Sequence, residues 1–308
     1  MTHRDLLGGA PDHGPTPPDR VTRDVLGTMS NWNFVPSDPG LRIKLRRQWK
    51  RWRHVRPAPA SAVLKPLSQS AQWSTYFMYA PGGRVRHAHR VTLERLKATS
   101  GALFVVCATE SPDLVPRDVL RIADAVYWKA LSGYDFSAYS IALHALAQAS
   151  PGADVFVMND SVFGPFHDIR PMLRQAPWEL TGFTALDATE NHLQSYAFQL
   201  RGIDPETMRA LEPVLPRCDA FDRMLDVVLL QETLLARVAA KTMSVGAFWY
   251  AQEQDVVDPT LQCPFELLDA GFPFLKKSLV GKMAHMQDTD RVVDFLVRHR
   301  MFAGKDAP

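Results

Sequence analysis

The segment "VFVMNDSVFGPF" at 155–166 places polar residues directly after an apolar run. The run predicts a buried strand, and Asn159, Asp160 and Ser161 follow where that strand meets a loop. A carboxylate beside an amide and a hydroxyl is a set of hard oxygen ligands suited to Mg²⁺ or Mn²⁺ bridging to phosphates. The same three residue types also form Asx turns at strand ends. The pattern leaves both alternatives open.

A second aspartate lies upstream, in the segment Gly133-Tyr134-Asp135-Phe136. Gly133 permits a tight turn, and Asp135 could cap the helix predicted to follow it. Open α/β sheets bind ligands beyond the carboxyl ends of their strands, so Asp135 could equally face a ligand there. Capping and ligand binding stay alternatives from this segment alone.

The segment "ENHLQSYAF" groups three further polar residues. If it forms a strand, His192 and Gln194 share one face and Ser195 points to the other. His192 could hold a phosphate or a hydroxyl, although such a histidine is more often half-buried with its hydrogen bonds satisfied.

Charged residues in two later segments are weaker candidates. Glu232 lies in the helical pattern "QETLLARVAAK", where a glutamate usually belongs to a solvated face. Lys276 and Lys277 follow the compact apolar turn in "FELLDAGFPFLKK", where they could neutralise phosphate or simply be surface charge.

The pattern from about residue 72 alternates strands and helices. "STYFMYA", "ALFVVCA", "DAVYWKA" and "DVFVM" read as strands separated by helical segments, and "LQSYAFQL" reads as a later strand. "DRMLDVVLLQETLLARVAAK" predicts a long helix or two helices with a break. This alternation predicts an α/β fold with a mostly parallel central sheet flanked by helices.

Composition and the lack of certain motifs argue against several other classes of protein. The chain has 308 residues, 46% of them apolar, and a net charge of +2, which suits a large core without a strong overall charge. The three cysteines are far apart and form no CxxC pair, so neither a zinc knuckle nor a redox dithiol is expected. The sequence contains no secretory signal, no apolar run long enough to span a membrane, no P-loop and no G-x-S-x-G elbow.

The N-terminal region differs from the rest and predicts a separate part of the chain. Residues 1–70 read as a flexible arm, and 71–308 as the main α/β domain. Within the arm, 41–56 predicts a basic amphipathic helix with Leu45, Trp49 and Trp52 at helical spacing. Eight of these sixteen residues are cationic: Arg42, Lys44, Arg46, Arg47, Lys50, Arg51, Arg53 and Arg56. The segment "RPAPASAVLKP" after it reads as a linker.

The basic helix has two interpretations. It could bind the anionic inner face of the cytoplasmic membrane, or it could pack on the main α/β domain through its tryptophans. Because it lacks a recognisable nucleic-acid-binding module around it, nucleic acid is not an expected partner.

Four segments in this order resemble the rhamnan synthesis protein F family of bacterial polysaccharide glycosyltransferases: "SGYDFSAYSIAL", "VFVMNDSVFGPF", "HLQSYAFQL" and "FELLDAGFPFLKKSL". The resemblance covers about 74–295. It implies a GT-A-like fold that binds a nucleotide sugar, and transfer of rhamnose or another deoxyhexose to a growing O-antigen, capsular or cell-wall glycan. A lipid-linked glycan acceptor and a cytoplasmic location at the inner membrane face follow as expectations.

The resemblance also implies roles for the candidate residues. Asp160 would hold the donor diphosphate, directly or through Mg²⁺ or Mn²⁺, and Glu232 would be the general base of an inverting transferase. The other donor-binding candidates are Gly133, Tyr134, Asp135, Asn159, Ser161, His192, Gln194 and Lys276. Two alternatives remain: a retaining transferase, and a non-catalytic glycan-assembly partner that has kept the fold.

Overall fold

The computed structural model describes residues 31–99, 101–187, 190–250 and 258–302. The strands are β1 (Trp32–Asn33), β2 (Val55–Pro57), β3 (Ser61–Lys65), β4 (Gln72–Tyr79), β5 (Ala102–Ala108), β6 (Ala125–Lys129), β7 (Ala153–Asn159), β8 (Val162–Phe163), β9 (Leu180–Asp187), β10 (Asn191–Leu193), β11 (Ala197–Ile203), β12 (Asp219–Phe221), β13 (Val245–Tyr250) and β14 (Leu275–Lys276). The α-helices are α1 (Gly40–His54), α2 (His87–Thr99), α3 (Arg117–Ile122), α4 (Tyr134–Ala149), α5 (Arg170–Gln175), α6 (Pro205–Leu211), α7 (Met224–Val227), α8 (Thr233–Ala239), α9 (Pro259–Gln262), α10 (Pro264–Asp269) and α11 (Thr289–Arg298). A π-helical turn, Val228–Glu232, joins α7 to α8.

The main sheet has the strand order β1-β13-β9-β11-β7-β4-β5-β6-β3, and β10 pairs with β9. Strands β6, β5, β4 and β7 are parallel neighbours, and β13 is parallel to β9. Because β11 is antiparallel to both β7 and β9, those two strands point the same way. Among the long central strands only β11 is reversed, so the predicted mostly parallel α/β sheet is confirmed.

The core lies on both faces of this sheet. Strand β5, "ALFVVCA", is buried along its whole length, as expected for a parallel strand covered on two sides. Apolar side chains of α4, α6 and α8 pack on one face, and those of α2 and α3 pack on the other. These helices leave the carboxyl ends of the parallel strands as the edge where a site can form.

The C-terminal segment brings the two lysines to this edge. Strand β14 pairs antiparallel with β8, and Lys276 lies opposite Val162. The backbone N–H of Lys277 donates to the carbonyl oxygen of Ser161 at 2.9 Å. A small apolar core around α11 supports this arrangement. The lysine pair is therefore fixed beside the Asn159–Ser161 loop.

The structure corrects the predicted linker after the basic helix. Strand β3 pairs antiparallel with β6 at one edge of the main sheet, and β2 pairs with β12. Strand β1 pairs with β13 at the opposite edge. The sequence suggested a linker because Pro and Ala interrupt the short strands β2 and β3. Their pairing depends on partners far away in the sequence, which local composition does not reveal. The rest of the predicted flexible arm, 1–30, lies outside the described residues.

The basic helix predicted at 41–56 is present as α1 and ends at His54. The interpretation that its tryptophans pack it on the domain is wrong, because Trp49 and Trp52 are exposed. Its polar side chains make the contacts instead: Arg47 with Glu190, Lys50 with Asp226, and His54 Nδ1 with Asp226 Oδ2 at 2.7 Å.

Candidate functional site

Asp160 lies at the point where the order of the parallel strands reverses. The chain adds β5 and β6 on one side of β4 and then returns to add β7 on the other. The backbone N–H of Tyr79, at the end of β4, donates to Asp160 Oδ2 at 3.1 Å. Crevices at such reversal points are the usual ligand sites of open α/β sheets. The predicted position of Asp160 beyond a strand end is thus a ligand-accessible position.

A cleft of about 560 Å³ opens beside Asp160, and we call it the cationic cleft. Its lining residues are Tyr79, Pro81, Gly82, Arg84, Arg86, His89, Glu110, Asp160 and Lys277. An adjoining cavity of about 600 Å³ shares Arg86 and Lys277 and has an apolar wall that includes Phe163, Val280 and Met301. The lining carries three cationic side chains and two carboxylates, so it suits an anionic ligand that also offers hydrogen-bond donors.

Asp160 and Lys277 influence each other's protonation. Burial raises the pKa of Asp160, and the positive charge of Lys277 opposes that rise. Burial lowers the pKa of Lys277 to about 8, and Asp160 opposes that fall. Lys277 is therefore mostly protonated at neutral pH and loses its charge in the mildly alkaline range.

His89 adds a neutral imidazole to the cleft. Burial, followed by the charges of Lys277 and Arg86, lowers its pKa to about 3. Its Nε2 lies 3.6 Å from Asp160 Oδ2. The buried Nδ1 has no hydrogen-bond partner among the described residues. An unsatisfied buried nitrogen costs free energy, and its burial keeps this atom out of reach of a ligand in the cleft.

Asp135 and Asn159 meet on the other side of the same loop. Asn159 Nδ2 donates to Asp135 Oδ2 at 2.9 Å, and the N–H of Phe136 donates to Asp135 Oδ1 at 2.9 Å. Burial, reinforced by the negative charge of Glu232, raises the pKa of Asp135 to about 6. Gly133, not Asp135, occupies the N-cap position of α4. The capping interpretation of Asp135 is therefore wrong.

The tight turn predicted at Gly133 is confirmed. Gly133 has φ +83°, and a Cβ there would lie 2.6 Å from Ser137 Oγ. Its N–H donates to Asp222 Oδ1 at 2.6 Å. Tyr134 follows with an exposed side chain and φ 50°. This turn fixes the start of α4 and hence the place of Asp135.

Glu232 ends the π-helical turn between α7 and α8. Such turns occur often at functional sites because they redirect side chains within a helix. Ser195 donates to Glu232 Oε2 from its backbone N–H at 3.0 Å and also from its Oγ. The predicted strand through Ser195 is wrong, because β10 ends at Leu193 and β11 begins at Ala197. The break lets Ser195 turn both donors toward Glu232.

Lys276 lies among carboxylates. Burial lowers its pKa, and the negative charges of Asp258, Glu232 and Asp135 act in the opposite direction. Its Nζ lies 4.0 Å from the ring centroid of Tyr196. Gln194 Nε2 donates to Asp258 Oδ2 at 3.0 Å. We call Asp135, Glu232 and Asp258, whose charges all act on Lys276, the carboxylate cluster.

In two places, adjacent residues of the chain face different regions, one the cationic cleft and the other the carboxylate cluster. In one loop, Asp160 lines the cationic cleft while Asn159 bonds to the carboxylate cluster. In the other, Lys277 lines the cleft while Lys276 lies among the carboxylates. The cleft and the cluster are therefore adjacent, and the backbone at Asn159–Asp160 and at Lys276–Lys277 runs between them.

Three more of the predicted donor-binding residues lie away from the cationic cleft. Gln194 and Lys276 belong to the carboxylate cluster and do not line the cationic cleft around Asp160. His192 is buried on β10, and its Nδ1 lies 2.7 Å from the carbonyl oxygen of Glu190. None of the contacts of the cleft or cluster described above involves His192.

The predicted metal ligands do not converge. Ser161 donates to Asn159 Oδ1 from its N–H at 3.0 Å and from its Oγ at 2.6 Å, which is the Asx turn that was the alternative interpretation. Within the described ranges, no three His, Cys, Asp or Glu side chains form a group that could hold a metal ion. Asp160 instead faces cationic side chains, and this donor set does not fit the expected Mg²⁺ or Mn²⁺ site.

Sequence reasoning missed most of the cationic cleft. Arg84, Arg86 and His89 come from "PGGRVRHAHR", which is no dinucleotide-binding fingerprint. The sequence did contain one indication of the cleft. Two arginines follow the first long buried strand, at the carboxyl end where open α/β sheets bind ligands. Glu110 follows β5 at the same edge, and the residues around it form no recognisable binding motif.

Comparisons with known proteins add little beyond this geometry. No protein-family model and no curated protein matches the chain. It is similar to 4-diphosphocytidyl-2C-methyl-D-erythritol synthase from Anaerococcus prevotii DSM 20548, with 12% identity and a TM-score of 0.38, over 65% of this chain and 97% of that one. It is also similar to HddC from Yersinia pseudotuberculosis, with 10% identity and a TM-score of 0.34, over 57% and 90% of the two chains. Likeness at this level carries no argument about activity, and the resemblance to the rhamnan synthesis family stays a prediction.

Proposed function

We propose that this protein is a glycosyltransferase that moves a sugar from a nucleotide-diphosphate donor to a hydroxyl of a growing glycan. One observation carries the proposal: the loop Asn159-Asp160 separates a cationic cleft from a carboxylate cluster, with each residue facing one of them. Transfer from such a donor needs both regions, positive charge at the leaving group and a proton acceptor at the attacking hydroxyl.

The cationic cleft suits the donor. Arg84, Arg86 and Lys277 can neutralise a diphosphate, and arginine can do so with two parallel hydrogen bonds. The carboxylate of Glu110, which accepts from the N–H of Gly82 at 2.8 Å, suits the hydroxyl groups of a ribose.

Glu232 is the proposed general base. It would take the proton of the acceptor hydroxyl as that oxygen forms a bond to the anomeric carbon. The bond from this carbon to the diphosphate breaks with inversion, and the diphosphate leaves with the electron pair toward the cationic side chains. Ser195 fixes one carboxylate oxygen of Glu232 and leaves the other for the acceptor.

The sheet topology supports the GT-A-like form of the proposal. The donor site would lie at the reversal between β4 and β7, and the base would come from the helix that precedes β13. A deoxyhexose donor, a lipid-linked acceptor and a cytoplasmic location at the inner membrane face rest on the resemblance and remain predictions. Because the donor set around Asp160 does not fit a metal, no step is assigned to one.

A panel of nucleotide sugars tests the proposal. We expect one or more nucleotide-diphosphate sugars to raise the thermal unfolding midpoint of the purified protein, since a ligand that binds only the native state stabilises it. The same donor should release free nucleoside diphosphate when a glycan acceptor is present. Donor binding without any turnover would favour the non-catalytic assembly partner, and an absence of binding across the panel would contradict both.

A further inference from the structure

Helix α1 has an inner face that is held firmly by the rest of the chain. Arg47 is bound to Glu190, and its Nε donates to the carbonyl oxygen of Leu229 at 3.0 Å. Lys50 is bound to Asp226. These buried ion pairs fix the orientation of the helix and so decide which side chains point outward.

The outer face presents a row of large apolar side chains to solvent. Leu41 is 71% exposed, Leu45 56%, Trp49 51% and Trp52 78%. Their spacing of four, four and three residues places them within an arc of about 80° at 3.6 residues per turn. Single exposed apolar residues are ordinary, whereas a row of four on one helix marks an interaction surface.

One side of this row is strongly basic. Helix α1 contains no acidic residue, and Arg42, Arg46 and Arg53 are exposed on it. The guanidinium of Arg53 lies 5.7 Å from the ring centroid of Trp49. A partner for this face therefore needs both an apolar region and negative charge.

We infer that the outer face of α1 docks on the surface of an anionic phospholipid bilayer, with the helix axis parallel to the membrane. Acidic headgroups attract the arginines, while tryptophan and leucine enter the boundary between headgroups and acyl chains. A nucleic acid would match the charge but would give Leu41 and Leu45 no apolar environment. None of the helices in the described ranges is long and apolar enough to cross a bilayer.

This surface also has a fixed relation to the proposed base. The inner face of α1 bonds to Leu229 within the same π-helical turn that ends at Glu232. Docking of the outer face would therefore hold the carboxylate cluster at a defined height and angle to the membrane. The inference goes beyond the transfer reaction and does not depend on it.

Vesicle flotation of the full chain tests the inference. We expect binding to vesicles containing phosphatidylglycerol at low salt, little binding to pure phosphatidylcholine, and release as salt screens the attraction. The double variant Trp52→Gln/Arg53→Gln should bind at least about fivefold more weakly, since one cationic residue near the surface contributes about that factor. Val297→Gln/Arg298→Gln is the matched control, because it changes one exposed apolar and one exposed basic neighbour on α11, and it should bind like the wild type.

Three outcomes would overturn the inference. They are no binding to anionic vesicles at low salt, equal binding to neutral vesicles, and unchanged binding of the α1 double variant. Stronger binding of a short nucleic-acid duplex than of anionic vesicles, lost in the same variant, would assign the face to nucleic acid instead. Because vesicle binding is measured without donor or acceptor, its failure is distinguishable from failure of the proposed transferase activity.

Discussion

Asn159 donates from Nδ2 to Asp135 Oδ2 at 2.9 Å, which joins the loop after β7 to the first turn of α4. The two residues are distant in sequence, yet Asn159 ends the parallel strand β7 and Asp135 follows β6, and their side chains meet at the carboxyl edge of the sheet. The bond leaves Asp135 beside Glu232 and turns Asn159 away from the cationic cleft. This contact is the boundary between the two proposed halves of the site.

Asp135→Asn should make the stability of the protein less dependent on pH between pH 4 and pH 7. The folded state raises the pKa of Asp135 from 3.8 to about 6 by burial, so ionisation there disfavours folding. The wild type should lose this part of its stability as pH rises from about 4 to 6, whereas the variant should not. Relative to the wild type, the variant should gain about 1–3 kcal/mol between pH 4 and pH 7, measured by urea unfolding. The loss of one of the two hydrogen bonds that Asp135 accepts should cost the variant about the same at both pH values.

The exposed Asp113→Asn is the control for this experiment and should keep the wild-type pH profile. Equal stability of Asp135→Asn and wild type at both pH 4 and pH 7 would show that Asp135 is not destabilised by burial in the folded state.

Donor binding should weaken in mildly alkaline solution because Lys277 loses its proton. With its pKa at about 8, the charged form is roughly a tenth of the total at pH 9. If only that form binds, the Kd for a nucleoside diphosphate should rise about tenfold between pH 7 and pH 9. Titration calorimetry at several pH values measures this.

Lys277→Arg should flatten that dependence, since the guanidinium stays charged. The exposed Lys241→Arg should leave it as in the wild type. A steep loss of affinity that persists in Lys277→Arg would mean that another group in the cleft controls binding.

Removal of divalent metal should leave donor affinity within about twofold of its value with metal, since Arg84, Arg86 and Lys277 supply positive charge for the diphosphate. The measurement is the same titration with and without EDTA. A tenfold loss in EDTA that disappears in Asp160→Asn would show instead that Asp160 holds a metal, as the sequence predicted.

Arg47→Met should impair turnover more than donor binding. Arg47 contacts buried Glu190, the carbonyl oxygen of Leu229 and Thr233 Oγ1, and so holds the turn that carries Glu232. Its loss should reduce stability by about 2–4 kcal/mol, because Arg237 would be the one cationic partner left to Glu190 among the residues that the structure describes. We expect kcat to fall while KM for the donor changes little.

The exposed neighbour Arg46→Gln is the matched control and should leave both constants unchanged. An equal fall in donor affinity and kcat in folded Arg47→Met would mean that Arg47 supports the whole domain and does not position Glu232.

The sequence predicted the alternating fold well because the long parallel strands are continuous apolar runs, such as β5. It failed at 61–65, where a short edge strand depends on pairing with β6 and carries little local signal. It also assigned Ser195 to a strand, although the chain breaks there to place its N–H and Oγ on Glu232. Local pattern cannot reveal such breaks, because tertiary partners determine them.

The candidate site was predicted in parts. Asp135, Asn159 and Asp160 were found because each follows a strand signal, and the structure places all three at one edge. The cleft was missed because it joins Arg84 and Arg86 to Lys277, and only the pairing of β14 with β8 brings that lysine near. That pairing involves two-residue strands, which are too short to recognise from periodicity.

Glu232→Gln tests the central claim most directly, because it keeps the shape of the side chain and removes its ability to accept a proton. The measurement is donor affinity and the rate of sugar transfer on the same preparation, with Gln231→Asn, the adjacent buried amide, as the control for disturbance of the turn. We predict unchanged donor affinity and a rate lowered by about 10²–10⁴-fold in Glu232→Gln alone. Near-normal transfer in Glu232→Gln would contradict its role as the general base and the division of the site into a cleft for the donor and a carboxylate cluster for the acceptor.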